Sequence, residues 1–406
     1  MKKRYTYRAY PTVGQARALA RLFGCVRVVF NDFVAAREHQ YREGLPFESS
    51  GELDKRLLTR AKHTPERAWL ADVSSIPLQQ SLRDADRAYR NFFKGQAGKP
   101  HFKSRHHRQS ARFTRSAQFS IHETTHGVGF VRIPKVGQVR FALSRPLPSE
   151  PSSFTIIREA DGTYHVSFVV EVAEPEPVAV ERVAGIDLGL NDFATIVYSD
   201  GTREKVSAPK YLRKAERKLA KRQRELARKQ RGSRNREKAR IKVARAHARV
   251  RHQRQEFTHQ LSTRMARENQ AVAVESLSIT GLARTRLAKS VHDAGWGMFL
   301  RQLSQKITVV PVDRWFPSTR LCSQCGVIGA RKPLGIREWT CPDCGTHLDR
   351  DYNAAVNILV AAGLADTVNA CGGDVRPKLM PLALADADPC EAGTHRIDRG
   401  IHAPAT

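Results

Sequence analysis

The chain has 406 residues, enough for two or three separately cored domains, and carries 69 Lys and Arg against 40 Asp and Glu. A formal charge of +29 and a pI near 10.4 point to a polyanionic partner, nucleic acid first among them. No apolar run is long enough to span a bilayer, and the basic start MKKRYTYRAYP has no apolar stretch behind it, so the expected compartment is the reducing cytosol.

Residues 3–10 alternate as a short strand, and Pro11-Thr12 then opens a helical pattern. Leu19, Leu22, Phe23, Val26, Val29 and Phe30 recur at spacings of three and four, which buries one face. Helical periodicity continues to about Phe93, punctuated by Pro46, Pro65 and Pro77. Residues 95–115 form a basic loop with Phe102 and Phe113 interleaved among its cations. Lys99, Phe102, Lys103, Arg105 and Arg112 are its candidate nucleic-acid contacts. From about Phe119 to Val172 the pattern becomes short strands, VGFVRIP, GQVRFAL, SFTIIRE and YHVSFVVEV, as in a small antiparallel barrel or sandwich.

A Pro/Glu-rich linker at 174–177 precedes VAGIDLGLNDFATIVYSDG, two strands joined by a short turn that open an α/β layer. Residues 210–270 are helical, with Gly232-Ser233 as the turn of a helical hairpin. Up to Arg254 this stretch holds twenty Lys and Arg against three Glu. So one-sided a run repels itself unless a polyanion lies along it, which makes Lys214, Lys218 and Arg222 further contact candidates. AVAVES (271–276) reads as a buried strand, 296–305 as a short helix, ITVVPVD (307–313) as a strand and 349–362 as a final helix. Residues 366–406, rich in Ala, Pro, Gly and Asp without periodicity, are expected to be a disordered tail.

Two Cys-x-x-Cys pairs, Cys322/Cys325 and Cys341/Cys344, stand fifteen residues apart, the spacing of a four-thiolate structural zinc ribbon. Cys25, Cys371 and Cys390 are scattered singles, and His347 is a surface residue or an outer contact of the ribbon. Trp315 and Phe316, just before the first pair, have two readings: stacking platforms for bases, or the small core that a ribbon needs.

Three carboxylates stand where a hard-metal site can form: Asp187 in VAGIDLG, Glu275 ending AVAVES, and Asp351 opening the final helix. Each borders apolar residues, where an unpaired charge is costly and a shared Mg²⁺ or Mn²⁺ offsets the cost. Taken singly, each also has an ordinary reading as a turn, cap or solvated strand end. Asp349 fits the helix N-cap. Asp351 shares a stripe with Ala354, Ala355 and Ile358, small enough to let the helix approach the sheet. Asp192, Asp200 and Asp313 fit turns or surface pairs.

The stretches YRAYPTVGQARALARLFGCVRVVFN, GKPHFKSR, GIDLGLNDFAT, VAVESLSI, GWGMFLRQL, VDRWFPSTRLCSQCG, CPDCGTHLDRDYNAAVNI and NACGGDVRP together resemble the TnpB (OrfB) family of insertion sequences, in that family's order and across nearly the whole chain. This is a family of RNA-guided DNA endonucleases related to type V CRISPR effectors. The resemblance implies a multidomain α/β plus β fold: a wedge-like β-barrel with a helical insert, then an RNase H-like (RuvC) domain containing a zinc ribbon. The implied boundaries are 1–14 for the first barrel strand, 15–110 for the helical recognition insert and 111–180 for the rest of the barrel. The nuclease domain then spans 181–315 with its basic hairpin at 207–270, followed by the ribbon at 316–347, a last helix at 348–365 and the tail at 366–406. Asp187, Glu275 and Asp351 fall on the family's catalytic carboxylates, and Cys322, Cys325, Cys341 and Cys344 on its zinc ligands. The implied cofactors are structural Zn²⁺, catalytic Mg²⁺ or Mn²⁺ and a guide RNA from the element's end. The implied partner is double-stranded target DNA in a cytoplasmic, nucleoid-associated setting. One departure is a helix after Phe299–Leu303 shorter than is usual in the family. That departure supports an alternative, a guided DNA-binding regulator with poor cleavage; a strand-transferring recombinase ranks below both.

Overall fold

The computed structural model describes residues 1–123, 127–173, 180–333 and 335–365. The expected linker at 174–177 and the expected tail at 366–406 lie outside the described residues.

The N-terminal half is a seven-stranded antiparallel sheet with a helical insert. Strand β1 (Lys2–Tyr10) leads through a Thr12/Gln15 capping box into α1 (Val13–Arg42). After α2 (Ser50–Asp54) and several tight helical turns comes α3 (Ser75–Phe93). The chain returns to the sheet with β2 (Gln109–Thr114), β3 (Ile121–Glu123), β4 (Val128–Ile133), β5 (Gly137–Ala142), β6 (Ser153–Arg158) and β7 (Tyr164–Glu171). Strand order is β2-β6-β7-β1-β5-β4-β3, so β1 lies at the centre and the insert separates it from an edge strand. One core joins Tyr7, Phe113, Phe141, Phe154 and Phe168 of the sheet to Leu19, Val29, Phe33 and Leu78 of the helices. Phe113 stacks on Phe154 with ring centroids 4.8 Å apart. Strand β2 occupies part of the span expected to be a basic loop. Its alternating burial puts Ala111 and Phe113 inside, a period that four cations in the neighbouring sequence obscure.

The C-terminal half is built on a five-stranded sheet of β8 (Val183–Leu188), β9 (Asp192–Tyr198), β10 (Arg203–Ser207), β11 (Ala271–Glu275) and β12 (Thr308–Val312). The order is β10-β9-β8-β11-β12, with β8, β11 and β12 mutually parallel and β9 and β10 antiparallel. Between β10 and β11 runs the basic hairpin of α4 (Tyr211–Ala227) and α5 (Arg234–Glu268). Gly232 turns it at φ 84°, a conformation open to glycine, and Ser233 caps α5. Helices α6 (Ile279–Leu282), α7 (Ala288–Ala294) and α8 (Trp296–Ser304) connect β11 to β12. A two-stranded ribbon, β13 (Glu338–Thr340) and β14 (His347–Asp349), runs directly into α9 (Arg350–Ala361). That last helix packs against β8, β9 and β11.

The approach is close because Gly185 lies beneath the helix. A Cβ there would run into the Ala355 carbonyl oxygen and stand 2.7 Å from Leu359 Cβ and 2.9 Å from Leu359 N. The opposite face of the sheet is filled by Phe193, Met265, Trp296 and Phe299.

The basic hairpin is more than a solvated surface. Arg240 donates to the carbonyls of His106 (3.1 Å) and Ala160 (3.4 Å), and Arg245 to that of Asp161 (3.4 Å). These contacts join α5 to the β6–β7 turn and the end of the basic loop. Buried Asp293 accepts the backbone N–H groups of Leu212 (2.8 Å) and Arg213 (3.1 Å) at the start of α4, and Arg254 bonds its carbonyl at 3.0 Å. Part of the charge surplus therefore holds the protein together.

Candidate active site and metal centre

Four cysteine sulfurs meet where the two knuckles of the ribbon face each other. Cys322 Sγ is 3.7 Å from Cys344 Sγ, and Cys325 Sγ is 3.7 Å from Cys341 Sγ. A disulfide needs about 2.05 Å. Tetrahedral Zn–S bonds of about 2.3 Å place sulfurs about 3.8 Å apart, so the set matches a closed zinc site. Among the described residues, only these four have ligand atoms all within 4.8 Å of one another. The Thr346 hydroxyl and backbone N–H lower the Cys344 thiol below its ordinary range, which favours the thiolate that a metal needs. Buried Trp339 and half-buried Leu348 complete the small core, and His347 is exposed 3.5 Å from Glu338.

The ribbon is rigidly joined to α9. Asn353 Oδ1 accepts the Ser323 N–H at 2.9 Å, and its amide donates to the Leu321 carbonyl at 2.7 Å. One turn on, Asn357 donates to the Ser318 and Leu321 carbonyls at 2.8 and 2.7 Å. Both asparagines are buried, so these bonds satisfy groups that would otherwise be orphaned. Asp349 Oδ1 accepts the N–H groups of Asp351 and Tyr352, both at 2.9 Å, making it the N-cap of α9. Lys205 of β10 holds the other oxygen of Asp349 at 2.7 Å.

Asp351 is thereby fixed at the head of a helix whose Ala354, Ala355 and Ile358 are fully buried on the sheet. Asp187 lies near the C-terminal end of β8, and Glu275 ends the adjacent parallel strand β11. Burial first, then Glu275 and Asp351 in turn, push the Asp187 carboxyl up to about 7; Arg350 and Arg337 partly offset them. Burial also raises the Glu275 carboxyl. The three acids share one electrostatic neighbourhood, although they form a more open set than the cysteines. Both oxygens of Asp351 pair with Arg337 Nη1, at 3.2 and 3.3 Å. Hard oxygen donors at the C-terminal ends of two parallel strands and at the start of the helix over them suit a divalent cation.

A sequence profile described as "Probable transposase" (OrfB of IS605) matches residues 167–286. A Cas12f1-like TNB domain profile matches 296–358, and a helix-turn-helix domain profile matches 1–45, a span that here holds one strand and one 30-residue helix. A protein of Streptomyces pristinaespiralis named "Putative RNA-guided DNA endonuclease" is 42% identical over 388 residues, 93% of each chain. The chain belongs to the TnpB (OrfB) family. A TnpB-family relative from Escherichia coli strain K12, InsQ, carries the same description at 29% identity over 91% of this chain and 93% of its own. Among solved structures, Cas12f1 from a complex with sgRNA and target DNA aligns at TM-score 0.57 and 13% identity, over 84% of this chain and 81% of that one. The mini-RNA-guided endonuclease CRISPR-Cas_phi3 aligns at 0.52 and 9%, over 89% and 92%. These two show a shared fold.

Several of the basic residues expected to face nucleic acid in this TnpB-family chain already have protein partners. Lys99 pairs with Glu38 at 3.1 Å, and Arg112 with Asp84 at 2.7 Å. Lys103 lies over the Phe30 ring at 3.6 Å, and its backbone is tied to Asn31 of α1. Phe102 and Arg105 are exposed, as are Lys214 and Lys218 of α4, while Arg222 pairs with Glu225 at 2.8 Å. Reading the sequence missed Lys205, Arg337, Asp293 and the two asparagines, because each acts on a residue far away in the chain or in an element that periodicity does not mark. Phe316 packs against the cluster of Val312 and Ile358 rather than in the ribbon's own core, and Trp315 is exposed.

Proposed function

We propose that this protein is an RNA-guided, divalent-metal-dependent DNA endonuclease that hydrolyses phosphodiester bonds of guide-matched target DNA. The observation that carries this reading is the placement of three acids: Asp187 and Glu275 at or near the ends of the paired parallel strands β8 and β11, and Asp351 in the first turn of α9, which packs on both strands. Strand order third, second, first, fourth, fifth, with the last helix on the central strand, supports reading the five-stranded sheet as RNase H-like (RuvC). The seven-stranded sheet is read as the wedge-like barrel, α1–α3 as the recognition insert, and the four-cysteine ribbon as its zinc-bearing segment. The family relatives described as RNA-guided DNA endonucleases, and the net charge of +29, support a guide RNA and double-stranded target DNA as partners in a cytoplasmic setting.

Mg²⁺ or Mn²⁺ held by the three carboxylates would supply a nucleophilic water and stabilise charge on the leaving oxygen. The protein's own part is positional. Strands β8 and β11 set the separation of Asp187 and Glu275 through their parallel register. The Lys205–Asp349 bond and the buried asparagines fix where Asp351 enters, and thiolate-bound zinc would hold the ribbon from which α9 starts. Arg337 and Arg350 supply positive charge beside the acids, where a phosphate would lie.

The test is cleavage of a matched duplex by the purified ribonucleoprotein in Mg²⁺ or Mn²⁺. Asp187→Ala, Glu275→Ala and Asp351→Ala should each bind guide and target yet lose cutting. Variants that cut as well as the parent refute the site. Guide-dependent binding by a parent that never yields product establishes the regulator instead, and joined strands in place of simple breaks establish a recombinase.

A further inference from the structure

Trp315 is 78% exposed, whereas Trp296 and Trp339 are buried at 4% and 8%, and Trp69 is 37% exposed. An indole left this far out gains nothing for folding, and its neighbour Phe316 already fills the local core. Its position is nonetheless well determined. Strand β12 ends at Val312, which lies opposite Glu275 in the parallel ladder, and the Ser276 N–H bonds the Val312 carbonyl at 2.9 Å. Immediately beyond, Asp313 Oδ1 accepts the Trp315 N–H at 2.7 Å, and the Asp313 carbonyl accepts the Phe316 N–H at 3.0 Å. Trp315 is thus held three residues past the end of β12, on the rim where β8 and β11 present Asp187 and Glu275.

Charge identifies what this ring is for. The Arg314 guanidinium lies 4.7 Å from the Trp315 ring centroid. Arg337 and Arg350 act on Asp187 from the same rim. A flat aromatic face beside cations is the combination that binds a single nucleic-acid strand, the ring taking a base and the cations its phosphates. Bases inside a duplex are stacked on both faces, so the combination fits an unpaired base of a single strand. We infer that Trp315, with Arg314, is a stacking platform for an unpaired base of the DNA strand delivered to the carboxylate site, a positioning residue for the strand to be cut. The inference rests on the nuclease reading above.

Two readouts on the full ribonucleoprotein test it. The first uses Asp187→Ala complexes on matched target DNA with 2-aminopurine placed at successive positions around the cut. One or two positions should be quenched, released in Asp187→Ala/Trp315→Ala, and quenched again in Asp187→Ala/Trp315→Phe. In the second, on an otherwise unaltered protein, Trp315→Ala should raise KM for a single-stranded DNA substrate by about tenfold or more, the usual effect of removing one aromatic platform. There kcat should change little, and Trp315→Phe should restore most of the loss. Zinc content and guide-RNA affinity should match the parent, since the side chain supports neither. No responsive position in the DNA, quenching of 2-aminopurine in the guide RNA instead, or an unchanged KM in Trp315→Ala overturns the platform. Failure of the nuclease reading looks different: either the parent yields no product, or Asp187→Ala cuts like the parent.

Discussion

Asp187→Asn should make the metal-free protein more stable while abolishing cleavage. The carboxyl titrates near 7 in the fold and near 3.8 as a free side chain, so its ionised form is disfavoured by the structure. At 1.36 kcal/mol per pH unit that is about 4 kcal/mol. Below about pH 4 the group is protonated in both the folded and the unfolded chain, and no penalty exists. Between about 4 and 7 the unfolded chain releases the proton and the folded chain keeps it, so stability falls as pH rises; above 7 the loss is complete. Asparagine keeps the shape and removes the charge. Melting of guide-free, chelator-treated protein should therefore coincide for parent and variant at low pH and separate by several degrees at pH 8, with the variant higher. Mg²⁺ should raise the parent's melting temperature at pH 8 and leave the variant's nearly unchanged, because a bound cation offsets the cost of a charge penalised by burial and by the neighbouring acids. A variant that melts below the parent at pH 8, or a parent indifferent to Mg²⁺, refutes the reasoning.

Gly185→Ala should displace α9 from β8 and lower stability by about 1–3 kcal/mol, with cleavage reduced although every carboxylate remains; melting and cutting rates check it. Cys341→Ser should abolish zinc binding, measured by metal analysis of purified protein, and speed amide exchange in the first turn of α9, because the ribbon leads straight into that helix. Arg337→Ala frees both oxygens of Asp351 and should tighten Mg²⁺ binding to the guide-free protein severalfold by calorimetry; weaker binding would assign Arg337 to holding the site together.

Much of the fold could be read along the chain because its signals are local. Alternation marked β4 to β7, three-and-four spacing marked α1, Gly232-Ser233 marked the α4–α5 turn, and Asp349 marked the start of α9. Strand β2 stayed hidden because the cations around it mask a two-residue period. The short β10 stayed hidden because all five of its residues are at least partly exposed, so it has no apolar face to count. The cysteine set was legible because a tetrahedral thiolate site needs two tight knuckles, and a knuckle is a four-residue motif.

What the sequence determined by itself, then, was chemistry confined to neighbours: the zinc ribbon, the helix cap, the apolar faces and the surplus of charge. Only the tertiary structure decided how the three acids are arranged, which cations are already committed inside the protein, and which of Trp315 and Phe316 faces solvent. The physical reason is that a residue's own period sets the face on which it lies. Convergence of Asp187, Glu275 and Asp351 is set instead by strand order, parallel register and the close seat of α9 over Gly185, none of which is a local property.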